Sequence, residues 1–150
     1  MTRTIPHLIG GSLITPEDGR FGDVFEPSTG AVQARVPLAS SDEVRQAIAN
    51  AEEAQPAWAA TNPQRRARVM FEFKRLVEAN MDELARLLSS EHGKVIADAK
   101  GDIQRGLDVI EFACGIPHAL KGEYTASAGP GIDLYSMRVP LGIEIGRAHV

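Results

Sequence analysis

Few side chains in this 150-residue chain could do chemistry, and their spacing narrows the field. His7, His92, His118 and His149 are scattered, and no two of them share the HxxxH or CxxC kind of spacing that places two ligands on one metal. No metal site is expected. Cys114 is the only cysteine, so an internal disulfide is ruled out and a reducing compartment is the default. It has no basic neighbour in sequence to stabilise a thiolate, and it continues an apolar stripe. A buried, inert thiol is therefore expected there, and no residue is assigned a catalytic role. His92 precedes Gly93 at a helix end, where an imidazole meets the last carbonyls.

Neither Gly10-Gly11 nor Gly129-Pro130-Gly131 has the strand–GxGxxG–helix setting of a phosphate cradle, and no Walker spacing occurs, so no cofactor-binding residue is assigned. Arg65, Arg66 and Arg68 form a short basic cluster at a helix start, expected to be solvated or paired with Glu72. Arg105 is different. It stands between Gly101 and Gly106, where thinly covered backbone leaves its guanidinium room. A planar, permanently charged fork suits a two-pronged grip on a substrate carboxylate. The competing expectation is an ion pair with Asp102 or Asp108, its neighbours on the helix surface.

The elements that must position these residues can be read from punctuation and period. Gly10-Gly11 between Ile9 and Leu13-Ile14 predicts a small hairpin, and Asp18-Gly19 a turn. Two strands, around 21–25 and 32–36, are expected to be joined by the turn at 27–30, a ribbon too small to stand alone. Ser40 with Glu43 predicts a capping box, followed by a stripe of Val44, Ala47, Ile48, Ala51, Ala54 and Trp58. Asn62-Pro63 starts a second helix carrying Val69, Met70, Phe73, Leu76 and Val77 on one face. Asn80 and Glu83 repeat the capping-box spacing before Leu84, Leu87 and Leu88, and Gly93 ends that third helix. A fourth is expected over 95–115, with Ile96, Ala99, Ile103, Leu107, Ile110 and Cys114 as its stripe. Gly101 and Gly106 inside it weaken the helix by about 1 kcal/mol each, and close packing is the expected reason. After the breaker at 129–131, residues 133–139 read as an edge or bridging strand.

Composition sets the outer limits. Twenty acidic against sixteen basic residues give a net charge of -4, which disfavours nucleic acid and acidic membrane as partners. No apolar run approaches the roughly 20 residues of a membrane helix, and no targeting signal is read at the start, so a cytoplasmic location is expected. Four helices between exposed strand groups leave sheet edges without a sheet to own them, so the chain reads as part of a larger fold. A free-standing helical adaptor is the competing expectation.

Several stretches together resemble the N-terminal region of an aldehyde dehydrogenase: Ile9-Gly10-Gly11, Glu26-Pro27-Ser28-Thr29-Gly30, residues 63–68, Glu91-His92-Gly93-Lys94 and residues 135–142. Within that superfamily, Asp98-Ala99-Lys100-Gly101-Asp102, Arg105-Gly106-Leu107 and residues 111–117 are similar to the CoA-acylating methylmalonate-semialdehyde dehydrogenases. The resemblance implies an α/β aldehyde dehydrogenase fold, present as an incomplete N-terminal part: strand hairpins, about four helices, then a bridging strand. Residues 1–142 would belong to the NAD-binding domain and the start of the oligomerisation strand region.

The resemblance also implies a parent enzyme that oxidises methylmalonate or malonate semialdehyde, a step of valine or inositol breakdown. NAD is then the cofactor, coenzyme A the co-substrate, and the assembly a homotetramer or dimer. A cysteine nucleophile is well suited to such chemistry. It matches no residue present, Cys114 included, so the segment alone is expected to be inactive. Arg105 matches the substrate-carboxylate arginine. A non-acylating aldehyde dehydrogenase is the alternative within the enzyme class. Residues 144–150, Glu-Ile-Gly-Arg-Ala-His-Val, depart from the family pattern. They are what a common sequencing adapter encodes when read in frame, and are expected to be such a read-through tail.

Overall fold

The structure, a computed structural model, describes residues 2–16 and 19–146. Asp18 of the expected Asp18-Gly19 turn lies outside the described residues, as do His149 and most of the tail. The two glycines between β2 (His7–Ile9) and β3 (Ser12–Ile14) have φ of +59° and +79°, the left-handed pair that a two-residue hairpin turn requires. The ribbon is present as β4 (Phe21–Glu26) and β5 (Ala31–Pro37), antiparallel, with a bulge between Val24 and Phe25. A third strand was not expected. β1 (Arg3–Thr4) runs parallel to β5, giving the order β1-β5-β4, and Ile5 extends the pairing by donating to the Arg35 carbonyl at 2.8 Å.

The helices are α1 (Ser41–Ala60), α2 (Pro63–Ala79), α3 (Met81–His92), α4 (Ile96–Cys114) and the short α5 (Ile116–Ala119). The Ser40–Glu43 capping box forms in both directions: Glu43 N–H donates to Ser40 Oγ at 3.2 Å, and Ser40 N–H to the Glu43 carboxylate at 2.7 Å. Asn62 caps α2 through Gln64 N–H at 2.9 Å, with Pro63 at the first helical position. The second capping box does not form. Asn80 is shared, ending α2 and starting α3, and its side-chain amide donates backward to the Leu76 carbonyl at 2.7 Å. Turned back toward α2 by that bond, the side chain does not bring its Oδ1 to the first N–H groups of α3.

The ribbon rests on α3, as its marginal size demands. Gln33 Nε2 donates to the Phe25 carbonyl at 3.1 Å and to Ser90, near the end of α3, at 2.8 Å. At the same end Gly93 closes α3 with φ +85°, and a Cβ placed there would lie 2.9 Å from Pro27 Cγ. Two demands meet at one residue: a left-handed backbone and contact with the ribbon's turn.

The core is thin and mostly alanine. Ala34, Ala85 and Ala99 lie buried on β5, α3 and α4, and Ala67, Leu107 and Cys114 on α2 and α4. Leu107 is the one large side chain fully buried among the described residues. The face that α2 turns inward is Ala67, Met70, Lys74 and Val77, whereas Val69, Phe73 and Leu76 of the expected stripe stand exposed. Lys74 bridges the helices by pairing with Glu78 at 2.5 Å and Glu111 of α4 at 3.5 Å. The α1 stripe forms and lines an open groove with β2, but α1 buries no residue.

Beyond α5 the expected strand is corrected. It becomes a hairpin, β6 (Tyr124–Gly129) against β7 (Ile132–Tyr135), with 129–131 as its turn. Ser136 N–H still donates to the Glu123 carbonyl at 2.9 Å, and residues 137–139 are irregular.

The accessible surface is 11777 Å². A self-contained domain of this mass exposes only about 7,500 Å². The excess includes large apolar side chains left exposed, among them Trp58, Phe112, Leu141 and Ile145. Among the described residues no helix is long and apolar enough to cross a membrane.

Candidate functional site

Helix α4 is the platform for Arg105. At 100° per residue, Ala99, Ile103, Leu107, Ile110 and Cys114 gather on one side, which meets α2 and α3. Gly101, Arg105 and Phe112 fall on the opposite side, with Val109 at its margin. Phe112 is 79% exposed and Val109 69%, so the guanidinium shares its face with bare apolar side chains. Packing of the buried stripe therefore aims Arg105 away from the chain's own core.

Both neighbouring carboxylates have other partners. Asp102 binds the ammonium of Lys94, which reaches it from the α3–α4 connection. Ser89 Oγ donates to the Lys94 carbonyl at 2.6 Å and holds that connection in place. The hydrogen bond from Lys94 keeps the Asp102 carboxyl below the usual aspartate range, and the charges of Arg105 and His92 add to the effect. Asp108 accepts from Gln104 Nε2 at 3.0 Å, an i,i+4 pair on the helix surface. Arg105 is exposed and forms no ion pair or side-chain hydrogen bond among the described residues. The expected pairing with Asp102 or Asp108 is thus not the arrangement found. A cation in direct ion pair with neither neighbour, beside apolar surface, can take an incoming carboxylate.

Lys94 is the residue that sequence reasoning left without a role. It engages Asp102, one of the two carboxylates that flank Arg105 on the helix. Its signal was its place two residues before a helix that carries an aspartate in its second turn, too loose a pattern to identify by itself.

The remaining candidates are dispersed. His7 lies half-buried on β2 with its Nε2 lacking a partner, His92 is exposed in the last turn of α3, and His118 is exposed in α5. Cys114 is buried at the end of α4, as expected, and lines an open groove with His118, Glu111 and Phe71. Among the described residues no three His, Cys, Asp or Glu side chains gather to hold a metal ion. Arg65 and Arg68 are exposed and Arg66 half-buried, while Glu72 binds Arg75 at 2.6 and 2.9 Å instead of that cluster. Gly10-Gly11 and residues 129–131 are both hairpin turns, and neither opens a helix. Neither turn therefore has the strand–turn–helix setting of a phosphate cradle.

The profile of the aldehyde dehydrogenase family matches residues 14–146. A malonate-semialdehyde dehydrogenase of Pseudomonas aeruginosa is 44% identical over 143 residues, covering 95% of this chain and 29% of that protein. A mitochondrial, acylating methylmalonate-semialdehyde dehydrogenase of Arabidopsis thaliana is 42% identical, covering 97% of this chain and 24% of its own length. A Sinorhizobium meliloti 1021 structure described as a methylmalonate-semialdehyde dehydrogenase complexed with NAD superposes with a TM-score of 0.89 at 54% identity, covering 95% of this chain and 29% of that one. The chain thus spans less than a third of the length of these relatives.

Proposed function

We propose a function that starts from one fact: this chain belongs to the aldehyde dehydrogenase family, and within it matches the methylmalonate- and malonate-semialdehyde dehydrogenases. The full-length protein oxidises methylmalonate or malonate semialdehyde and transfers the acyl group to coenzyme A. In balanced form, methylmalonate semialdehyde, NAD⁺ and CoA give propionyl-CoA, CO₂ and NADH. Malonate semialdehyde gives acetyl-CoA in the same way. NAD supplies the hydride acceptor and is held by parts of the enzyme other than the described residues.

This segment's contribution is Arg105. The observation that carries the reading is its guanidinium standing free while Lys94 and Gln104 engage Asp102 and Asp108. A fixed cation there favours a semialdehyde bearing a carboxylate over a plain aldehyde, because a carboxylate stripped of water without a partner is costly. The same reading makes the full-length protein a cytoplasmic homotetramer or dimer and leaves the 150-residue segment alone without turnover.

The test is NADH formation by the full-length enzyme with malonate semialdehyde, with and without CoA. Acetyl-CoA as the product supports the reading, and free acid formed equally well without CoA identifies a non-acylating enzyme. Arg105→Gln raises KM for the semialdehyde about 10- to 100-fold, the loss expected of a charge-assisted, two-pronged contact, and leaves KM for NAD unchanged.

A further inference from the structure

We propose that Gly101 is a specificity-determining residue, and that its missing side chain admits substrates branched at the carbon between carboxylate and aldehyde. The inference rests on the carboxylate-binding reading of Arg105 and extends it to the substrate's next atom. Glycine is among the poorest residues for a helix interior, so its presence in the second turn of α4 needs a reason. The chain itself supplies none. Gly101 has no left-handed backbone, and a Cβ built on it would meet nothing within 4 Å. The close packing expected from sequence is not found among the described residues.

Gly101 stands four residues before Arg105 on the same outward face. Helical side chains lean toward the preceding turn, so Arg105 and the open Cβ position of Gly101 share one face a turn apart, with no Arg105 atom within 4 Å of that position. A carboxylate gripped there carries its α-carbon one bond away, and any branch on that carbon must lie within a few ångströms of the same surface. A side chain at 101 would occupy that space. Gly106 is the internal control. Its Cβ position is equally open, but it follows Arg105 by one residue and points about 100° around the helix.

The test uses the full-length enzyme with Gly101→Ala, Gly101→Val, Gly106→Ala and Arg105→Gln, assayed on malonate and methylmalonate semialdehydes. Gly101→Val is expected to lower kcat/KM for the methyl-branched substrate about tenfold relative to the unbranched one, the scale of one obstructed methyl group. Gly101→Ala changes the ratio in the same direction and leaves the melting temperature equal or higher, since alanine favours the helix. Gly106→Ala leaves the ratio unchanged. If Arg105→Gln raises KM for both substrates while the Gly101 variants leave their ratio unaltered, the inference fails and the carboxylate reading stands. If Arg105→Gln affects neither substrate, both fail together.

Discussion

Helices α1 and α4 are nearly matched, at 20 and 19 residues, and each carries an apolar stripe of the same period. Their fates differ. α4 buries Ala99, Leu107 and Cys114 against α2 and α3, while α1 buries nothing and leaves Trp58 49% exposed. An amphipathic stripe determines which face a helix will bury, but a partner within the same polypeptide determines whether it does. α4 has its partners within these 150 residues. The stripe on α1 is the signature of one that lies elsewhere, consistent with relatives more than three times this length.

The contrast can be tested by substitution, and the largest effect belongs to α4. Leu107→Ala in the full-length enzyme is expected to lower stability by about 2–5 kcal/mol in a urea titration, because it empties a fully buried site. A loss below about 1 kcal/mol would mean that the helix packing is not as described. Gly93→Ala comes next. Its left-handed backbone alone predicts about 1–2 kcal/mol, and displacement of Pro27 adds to it, read as a lowered melting temperature.

Ser40→Ala tests whether α1 depends on its own cap, with about 1 kcal/mol lost and helicity falling by circular dichroism. The same cap is pH-sensitive. Hydrogen bonds from the Ser40 backbone N–H, and then from its side chain, hold the Glu43 carboxyl below the usual glutamate range. Its stabilising effect is complete above that range and is lost as pH falls through the lowered folded value, so α1 should lose helicity on acidification before α4 does. The smallest effect is Trp58→Ala, within about 0.5 kcal/mol in the 150-residue chain. The same change should be clearly larger in the full-length enzyme, where the stripe has its partner. Equal effects in both would show that α1 is solvated throughout.

Local signals were the legible part of this fold. The Gly10-Gly11 turn, the Ser40 box, the Asn62-Pro63 start and the Gly93 stop each involve groups within a few residues, so spacing alone identifies them. Asn80 misled because two helices meet at one residue, and only three dimensions show which of them its amide serves. β1 was invisible because two residues carry no period, and their strand character comes entirely from β5. The strand expected over 133–139 stopped at Tyr135 for the complementary reason, since its only partner here, β6, runs out. At the site, Arg105 and its two glycines were legible as unusual residues. That both aspartates are engaged, and that Gly101 faces open space, was not.

The order of residues thus determined the helix starts and stops, the face each helix offers, and a guanidinium on the side of α4 opposite its apolar stripe. Those follow from the 3.6-residue period and from hydrogen bonds that close within one turn. Tertiary structure alone decided which stripe is covered, which aspartate is taken by Lys94, and how much apolar surface remains for the rest of the enzyme. Each of those depends on contacts between residues far apart in sequence, which no local pattern encodes.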